Sequence, residues 1–116
     1  MAKERSNFKM GTVEMIILFL LDKKDLYGYE LSLLIKELSG GNLIIAESSL
    51  YPVLYKLLEK KYISDSEVVI GKRRVRVYYH IEESGKKRLA DLIEDYTNTS
   101  NGIQKILATK VLEEEA

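Results

Sequence analysis

The chain has 116 residues, 46% of them hydrophobic and 31% charged, with a formal net charge of zero; it is long enough for one compact core and too short for two. It contains no cysteine, which excludes a disulfide framework, a thiolate metal site and a cysteine nucleophile and suits a reducing cytoplasm. Bulk charge names no partner, but the charges are segregated: ten basic against six acidic residues over 46–88, and two against six over 89–116.

Residues 1–9 are polar and mixed in charge and read as a loose arm. Over 10–21 nearly every position is apolar, which predicts a helix buried on all sides. Its most apolar run, MIILFLL at 15–21, is far shorter than the roughly 20 residues of a membrane span. Glu14 directly precedes that run and no small-residue cleavage site follows it, so it does not read as a signal peptide either. After a turn at 22–25, a second helix is predicted over 27–38, because Tyr27, Leu31, Leu34, Ile35 and Leu38 fall on one helical stripe. Ser39, Gly40, Gly41 and Asn42 end it.

The third helix, SSLYPVLYKLL at 48–58, is expected to start on a cap from Ser48 or Ser49. Pro52 then lies in or just past the first turn, where a missing N–H costs little. At 100° per residue Leu50, Val53, Leu54, Leu57 and Leu58 share one side, with Tyr51 at the border. Ser48, Ser49, Pro52, Tyr55, Lys56 and Glu59 share the other. That side is free of bulky aliphatics, as a face that meets another molecule would be.

Two strands follow, at 62–70 and 73–81, joined by Gly71 and Lys72. Alternation puts Val75, Val77, Tyr79 and Ile81 on one face and Arg74, Arg76, Tyr78 and His80 on the other. The remainder, from a cap at Ser84 to residue 114, reads as one amphipathic helix of roughly 45 Å. Its stripe of Leu89, Leu92, Ile93, Tyr96, Ile103, Ile106, Leu107 and Val111 is too long for a small domain to cover alone, which points to a second copy. TNTSNG at 97–102 is poor in helix formers and marks a possible bend or break.

Three helices, the third with an exposed polar face, followed by a basic hairpin, are the order of an α+β winged helix-turn-helix. The head would span 1–83 and the dimerisation helix 84–116. In such a fold the third helix enters the major groove of duplex DNA and the hairpin lies against backbone or minor groove. Lys72, Arg73, Arg74 and Arg76 suit phosphate contact. Lys56 and the hydroxyls of Ser48, Ser49 and Tyr55 can reach phosphates or base edges. The blander readings are that the cations only blunt a strand edge, and that Tyr51 packs with its hydroxyl outward. His80, alone on its strand, reads as structural, and Glu113, Glu114 and Glu115 as a solvated tail. With one histidine, no glycine-rich phosphate loop and no nucleophile elbow, neither an enzyme, a metal nor a cofactor is expected.

Over about residues 10–89 the chain resembles the PadR family of bacterial transcriptional regulators, and its short members in particular. The resemblance is carried by MGTVEMIILFLL at 10–21, YGYEL at 27–31, SLYPVLYKLLEKKYI at 49–63 and the wing GKRRVRVYYHI at 71–81, followed by Gly85. It implies a homodimer with packed C-terminal helices and two heads on a pseudo-palindromic operator, usually as a repressor. It implies a DNA surface at Ser48, Ser49, Tyr51, Pro52, Tyr55, Lys56, Lys72, Arg73, Arg74 and Arg76. It also implies an aromatic or hydrophobic effector near the dimer interface. A pocket of stacking indoles is excluded here because there is no tryptophan, and Met15, Tyr96 and Asn98 are candidates to line a cavity or, alternatively, ordinary interface packing. Two positions depart from the family pattern. Lys61 stands where glycine is common after the third helix, and Glu82 stands where threonine often precedes the last; a left-handed cap at the first and side-chain capping at the second are therefore in doubt.

Overall fold

The computed structural model describes the backbone of residues 7–110 and the side chains of 11–110. Helix α1 (Asn7–Lys23) leads through a short strand β1 (Leu26–Tyr27) into α2 (Gly28–Leu38) and α3 (Glu47–Glu59). The hairpin of β2 (Ile63–Gly71) and β3 (Arg74–Ile81) and the helix α4 (Glu83–Leu107) complete the chain. The sheet is antiparallel in the order β1-β3-β2, and the architecture is a winged helix with a long C-terminal helix. Among the described residues no helix is long and apolar enough to cross a membrane.

The core follows the predicted stripes except at the end of α2, where Leu34 is half-buried and Leu38 is exposed beside an apolar groove. Ile17, Leu18 and Leu21 of α1, Leu31 and Ile35 of α2 and Leu50, Val53, Leu54 and Leu57 of α3 are buried with Ile63, Tyr79 and Ile81 of the sheet. Helix α1 is not buried on all sides, however. Phe19 is exposed and Met15 and Ile16 are half-buried, because that side of α1 faces a groove. Residues 7–9, read as part of an arm, belong to α1, and residues 1–6 lie outside the described ones. Tyr27, read as the start of the second helix, is instead extended and pairs with Tyr78. Its N–H donates to Glu30 Oε1 at 3.3 Å, which closes the first turn of α2.

Both predicted serine caps are displaced by two or three residues. Helix α3 is capped by the extended Ala46 with no side-chain hydrogen bond, so Ser48 and Ser49 sit inside the first turn. Helix α4 is capped by Glu82, also without a side-chain bond, while Ser84 Oγ donates across to the Lys61 carbonyl at 2.7 Å. TNTSNG does not break α4, which runs continuously from Glu83 to Leu107. None of those six residues is proline, so each N–H still has its carbonyl four residues back, and the propensity cost alone does not end the helix. The helix ends at Leu107, with residues 109 and 110 not helical, short of the predicted end at 114, and residues 111–114 lie outside the described ones.

Both α2 and α3 end on a left-handed residue. Gly40 does so after α2, with Gly41 N–H donating to Lys36 O and Gly40 N–H to Glu37 O. After α3 the left-handed position is Lys61 at φ 63°, with Tyr62 N–H donating to Leu57 O and Lys61 N–H to Leu58 O, both at 3.0 Å. The lysine therefore adopts the left-handed cap that its side chain disfavours. Gly85, by contrast, is required by space. A Cβ there would overlap the Tyr62 carbonyl oxygen and stand 2.8 Å from Ile81 Cγ1.

Two stability changes of opposite sign are expected from these sites. Lys61→Gly relieves the left-handed strain and raises unfolding free energy by about 0.5–1 kcal/mol. Gly85→Ala forces α4 off the sheet and lowers it by about 1–3 kcal/mol. Urea denaturation of the three proteins at equal chain concentration measures both.

Candidate nucleic-acid interface

On α3 the four leucine and valine positions that face inward leave Ser48, Ser49, Pro52, Tyr55 and Lys56 exposed on the outer side. Tyr51 is half-buried, and its hydroxyl donates to Glu47 Oε2 at 3.2 Å. The same hydroxyl lies 3.1 Å from where a Cβ on Gly28 would stand, so the glycine that opens α2 leaves room for it. The Tyr51 and Tyr55 rings stack at 6.1 Å with 25° between their planes. Burial, with the Glu47 hydrogen bond next, pushes the Tyr51 phenol above its ordinary pKa.

The hairpin is turned by Lys72 and Arg73, not by Gly71 and Lys72. Gly71 pairs with Arg74, which makes this a two-residue connection in which Arg73 takes φ 60°. The register slips between Val69 and Gly71, so Ile70 is an extra residue, a bulge that breaks the regular edge of β2. Burial rises along the alternating face of β3 from an exposed Val75 through half-buried Val77 to buried Tyr79 and Ile81. The wing thus grows out of the core and leaves it.

Its four cations are not equivalent. Lys72, Arg73 and Arg74 are exposed at the tip. Arg76 is half-buried, its guanidinium 4.1 Å from the centre of the Tyr27 ring, which in turn meets Tyr78 edge-on at 5.4 Å. Strand β1 therefore braces the wing through one tyrosine, and Arg76 is oriented by a cation–π contact before any ligand arrives. His80 Nδ1 lies 2.7 Å from Asp25 Oδ1, a surface link between the α1–β1 turn and β3.

A second feature lies between α1, α2 and α4. An apolar groove of about 270 Å³ is lined by Met15, Ile16, Phe19 and Leu20 of α1, Leu34, Ile35 and Leu38 of α2, Ser39 and Leu43 beyond it and Ile93 of α4. Met15 is thus at the groove, whereas Tyr96 and Asn98 are not among its lining residues. On α4, Leu89 is buried within its own head and Leu92 packs against the same core. Ile93, Tyr96, Ile103, Ile106 and Leu107 are exposed, the last two at 70% and 78%. Helix α4 is held at its root by Glu14, itself buried, which accepts from Arg88 Nε at 3.0 Å. That hydrogen bond raises the Arg88 pKa against the opposing effect of burial. The sequence signal for this pair was a carboxylate placed one residue before the most apolar run of the chain. Among the described residues no group of three or more His, Cys, Asp or Glu is placed to hold a metal ion.

At the wing base, burial pushes Tyr79 up to about 12, with smaller contributions from Tyr51, Tyr55 and Asp65 nearby. Because the folded value lies above the ordinary value of 10, the stability it contributes is complete below pH 10 and is lost as pH rises towards 12. Ultraviolet titration of the tyrosines is expected to show a late phase near the upper value that coincides with unfolding. Tyr79→Phe removes that phase.

Comparison with known proteins agrees with this geometry. The model of the "Transcriptional regulator PadR-like family" matches residues 17–91. A transcriptional regulator from Clostridium thermocellum is 33% identical with a TM-score of 0.80, covering 86% of this chain and 97% of that one. The negative transcriptional regulator PadR of Bacillus subtilis is 32% identical over 82 residues, which is 71% of this chain but 45% of that protein. A crystal structure of Bacillus subtilis PadR in complex with operator DNA superposes with a TM-score of 0.66 at 30% identity, over 71% of this chain and 47% of that one. This chain thus spans about half the length of the Bacillus subtilis protein. The family is one of transcriptional regulators, not of enzymes. With its head, wing and C-terminal helix in this arrangement and the family model matched over most of the head, the chain belongs to the PadR-like family of transcriptional regulators.

Proposed function

We propose that the chain is a cytoplasmic, homodimeric repressor that binds a pseudo-palindromic duplex operator through α3 and the wing. The observation that carries this reading is the pairing of two surfaces. The outer face of α3 bears Ser48, Ser49, Pro52, Tyr55 and Lys56 with the half-exposed Tyr51, and Glu59 at its C-terminal end, and the adjoining hairpin ends in exposed Lys72, Arg73 and Arg74. Small and hydroxylated side chains let a helix approach base edges, and cations at a hairpin tip meet phosphates. The operator complex of the Bacillus subtilis relative supports the same assignment. Arg76, stacked on Tyr27, serves as an oriented phosphate contact at the wing's base.

The dimer reading rests on α4. From Ile93 at the edge of the groove, Tyr96, Ile103, Ile106 and Leu107 continue an exposed apolar stripe along α4, and a second α4 is the partner that such a stripe fits. Leu89 and Leu92 contribute by fixing α4 to the head. The groove beside Met15 is the place for an aromatic or hydrophobic effector that releases DNA, and at about 270 Å³ it is at the small end of ligand sites. Tyr96 and Asn98 would join it only from the dimer seam. The second reading, a winged helix that binds protein through the same surface, is separated from the first by salt. Protein contacts of that kind show little salt dependence, whereas each phosphate contact releases counterions.

Fluorescence anisotropy on the duplex upstream of the chain's own coding region, against a scrambled duplex, tests the proposal. Binding is expected to prefer the native duplex by about a thousandfold and to fall steeply with salt. Lys72→Ala with Arg74→Ala, which removes four cations from a two-headed dimer, should lower affinity for both duplexes and flatten the slope of log K against log salt by about 3–4. An unchanged slope removes the wing from the mechanism. In sedimentation equilibrium at micromolar concentration the mass should be that of two chains, and Ile106→Glu should reduce it to one.

A further inference from the structure

The wing has an apolar component that the contacts described so far do not use. Val68, Val69 and Ile70 are three successive apolar residues on the outer strand of the sheet, all exposed, Val69 at 75%. Val75, the cross-strand partner of Val69, is 55% exposed. A solvated hairpin edge normally carries charge or polar side chains at such positions, and an exposed apolar run of this kind is a liability unless it meets something. Val69 and Val75 lie on the face that becomes half-buried at Val77 and buried at Tyr79 and Ile81, so at the tip the pair extends beyond the part of that face the head covers.

Two properties narrow the partner. From Val68 to Ile81 there is no acidic residue, while Lys72, Arg73, Arg74 and Arg76 lie among the valines, so the partner is anionic and has apolar surface between its charges. The wing also adjoins the α3 surface, to which the proposed function assigns duplex DNA. Distance along the strand fits the same partner. Val75 stands two residues behind Arg73, or about 7 Å at a strand rise of about 3.3 Å per residue, and Val69, three before Lys72 with the bulge between, is level with it as its cross-strand partner. The minor groove is about 7.5 Å deep. With the Lys72–Arg73 turn lowered into that groove, the two valines come level with its deoxyribose walls.

We propose that the Val69–Val75 pair is a DNA-contacting ridge that packs against the deoxyribose walls of the minor groove while the neighbouring cations take the phosphates. This rests on the reading of the chain as a DNA-binding regulator and adds to it a contact that releases no counterions. Such a contact has its own signature. Losing it weakens binding equally at every salt concentration, whereas losing a phosphate contact changes the slope.

The test is Val69→Thr with Val75→Thr, which replaces one methyl of each valine by a hydroxyl and keeps the β-branched shape of the hairpin. Both sites are exposed, so the variant should fold with unchanged circular dichroism. Anisotropy across a salt series on the native upstream duplex is expected to give about five- to tenfold weaker binding than the parent chain, with a parallel salt slope. Affinity within twofold of the parent overturns the ridge and leaves the DNA reading standing. Valine-dependent co-sedimentation with phosphatidylserine vesicles, or a valine-dependent change in sedimentation mass, with DNA affinity unaltered, overturns it in favour of a lipid or a second copy. Failure of the parent chain itself to bind any duplex in a salt-dependent way overturns both the ridge and the reading beneath it.

Discussion

The turn at Lys61 and Tyr62 is the joint on which the rest of the structure depends. Its backbone closes α3 with two hydrogen bonds to Leu57 and Leu58. The Lys61 carbonyl accepts from Ser84, and the Tyr62 carbonyl accepts from the Glu82 N–H at 2.9 Å and lies against Gly85. The Tyr62 ring lies 5.8 Å from the Arg88 guanidinium, and Arg88 reaches on to Glu14 of α1. The end of α3, the start of β2, the start of α4 and the middle of α1 are therefore fixed by a handful of mutually dependent contacts. A lysine held in left-handed backbone is tolerated there because the neighbouring contacts leave the chain no other path. The Glu14–Arg88 pair is asymmetric in the same sense. The carboxylate is buried and the guanidinium partly open to water, so removing Arg88 would strand a charge that removing Glu14 would not.

From that joint two projections leave the core in different ways. The wing emerges with buried residues at its base and exposed ones at its tip, steadied on one side by Tyr27 through Arg76 and Tyr78. Helix α4 leaves with Leu89 buried and Leu92 partly so, and from Ile93 onward its apolar positions are exposed. Both depend on the core for orientation and carry apolar residues that the chain itself leaves uncovered. That is the arrangement of a small regulator in which one rigid body sets the distance between whatever the wing touches and whatever α4 touches.

Much of this was legible in the sequence because it is carried by periodicity. The inward leucines of α3, the alternating residues of β3 and the apolar stripe of α4 follow from spacing alone, as does the exposure of Ser48, Ser49, Pro52, Tyr55 and Lys56. The misplaced features have a common cause, which is that backbone geometry decided them instead of pattern. Leu26 and Tyr27 form a strand too short to show alternation, and only pairing with β3 defines it. The hairpin turn moved by one residue because the bulge at Ile70 takes up a position that a regular ladder would have used. The serine caps failed because an extended Ala46 and Glu82 already start their helices, and at the second of these the hydroxyl of Ser84 had a better partner in the Lys61 carbonyl. Lys61 itself shows that a residue preference states a cost, here of order 1 kcal/mol, which long-range contacts can outweigh.

The neutral net charge also takes on meaning once the elements are placed. Over 89–96, the stretch in which α4 leaves the head, there are three acids and no base, while the wing from Val68 to Ile81 has four cations and no acid. Charges on folded proteins act over about a Debye length, near 8 Å at physiological salt, so a ligand responds to the local sign of each stretch and not to the neutral total. Beside a polyanion the wing side is attracted and the α4 side repelled, which selects one orientation of approach before any specific contact forms. Exposed apolar residues at the wing tip then act only at close range, after the cations have brought the hairpin down. Long-range charge chooses the face, and short-range packing distinguishes a fitted groove from any other anionic surface.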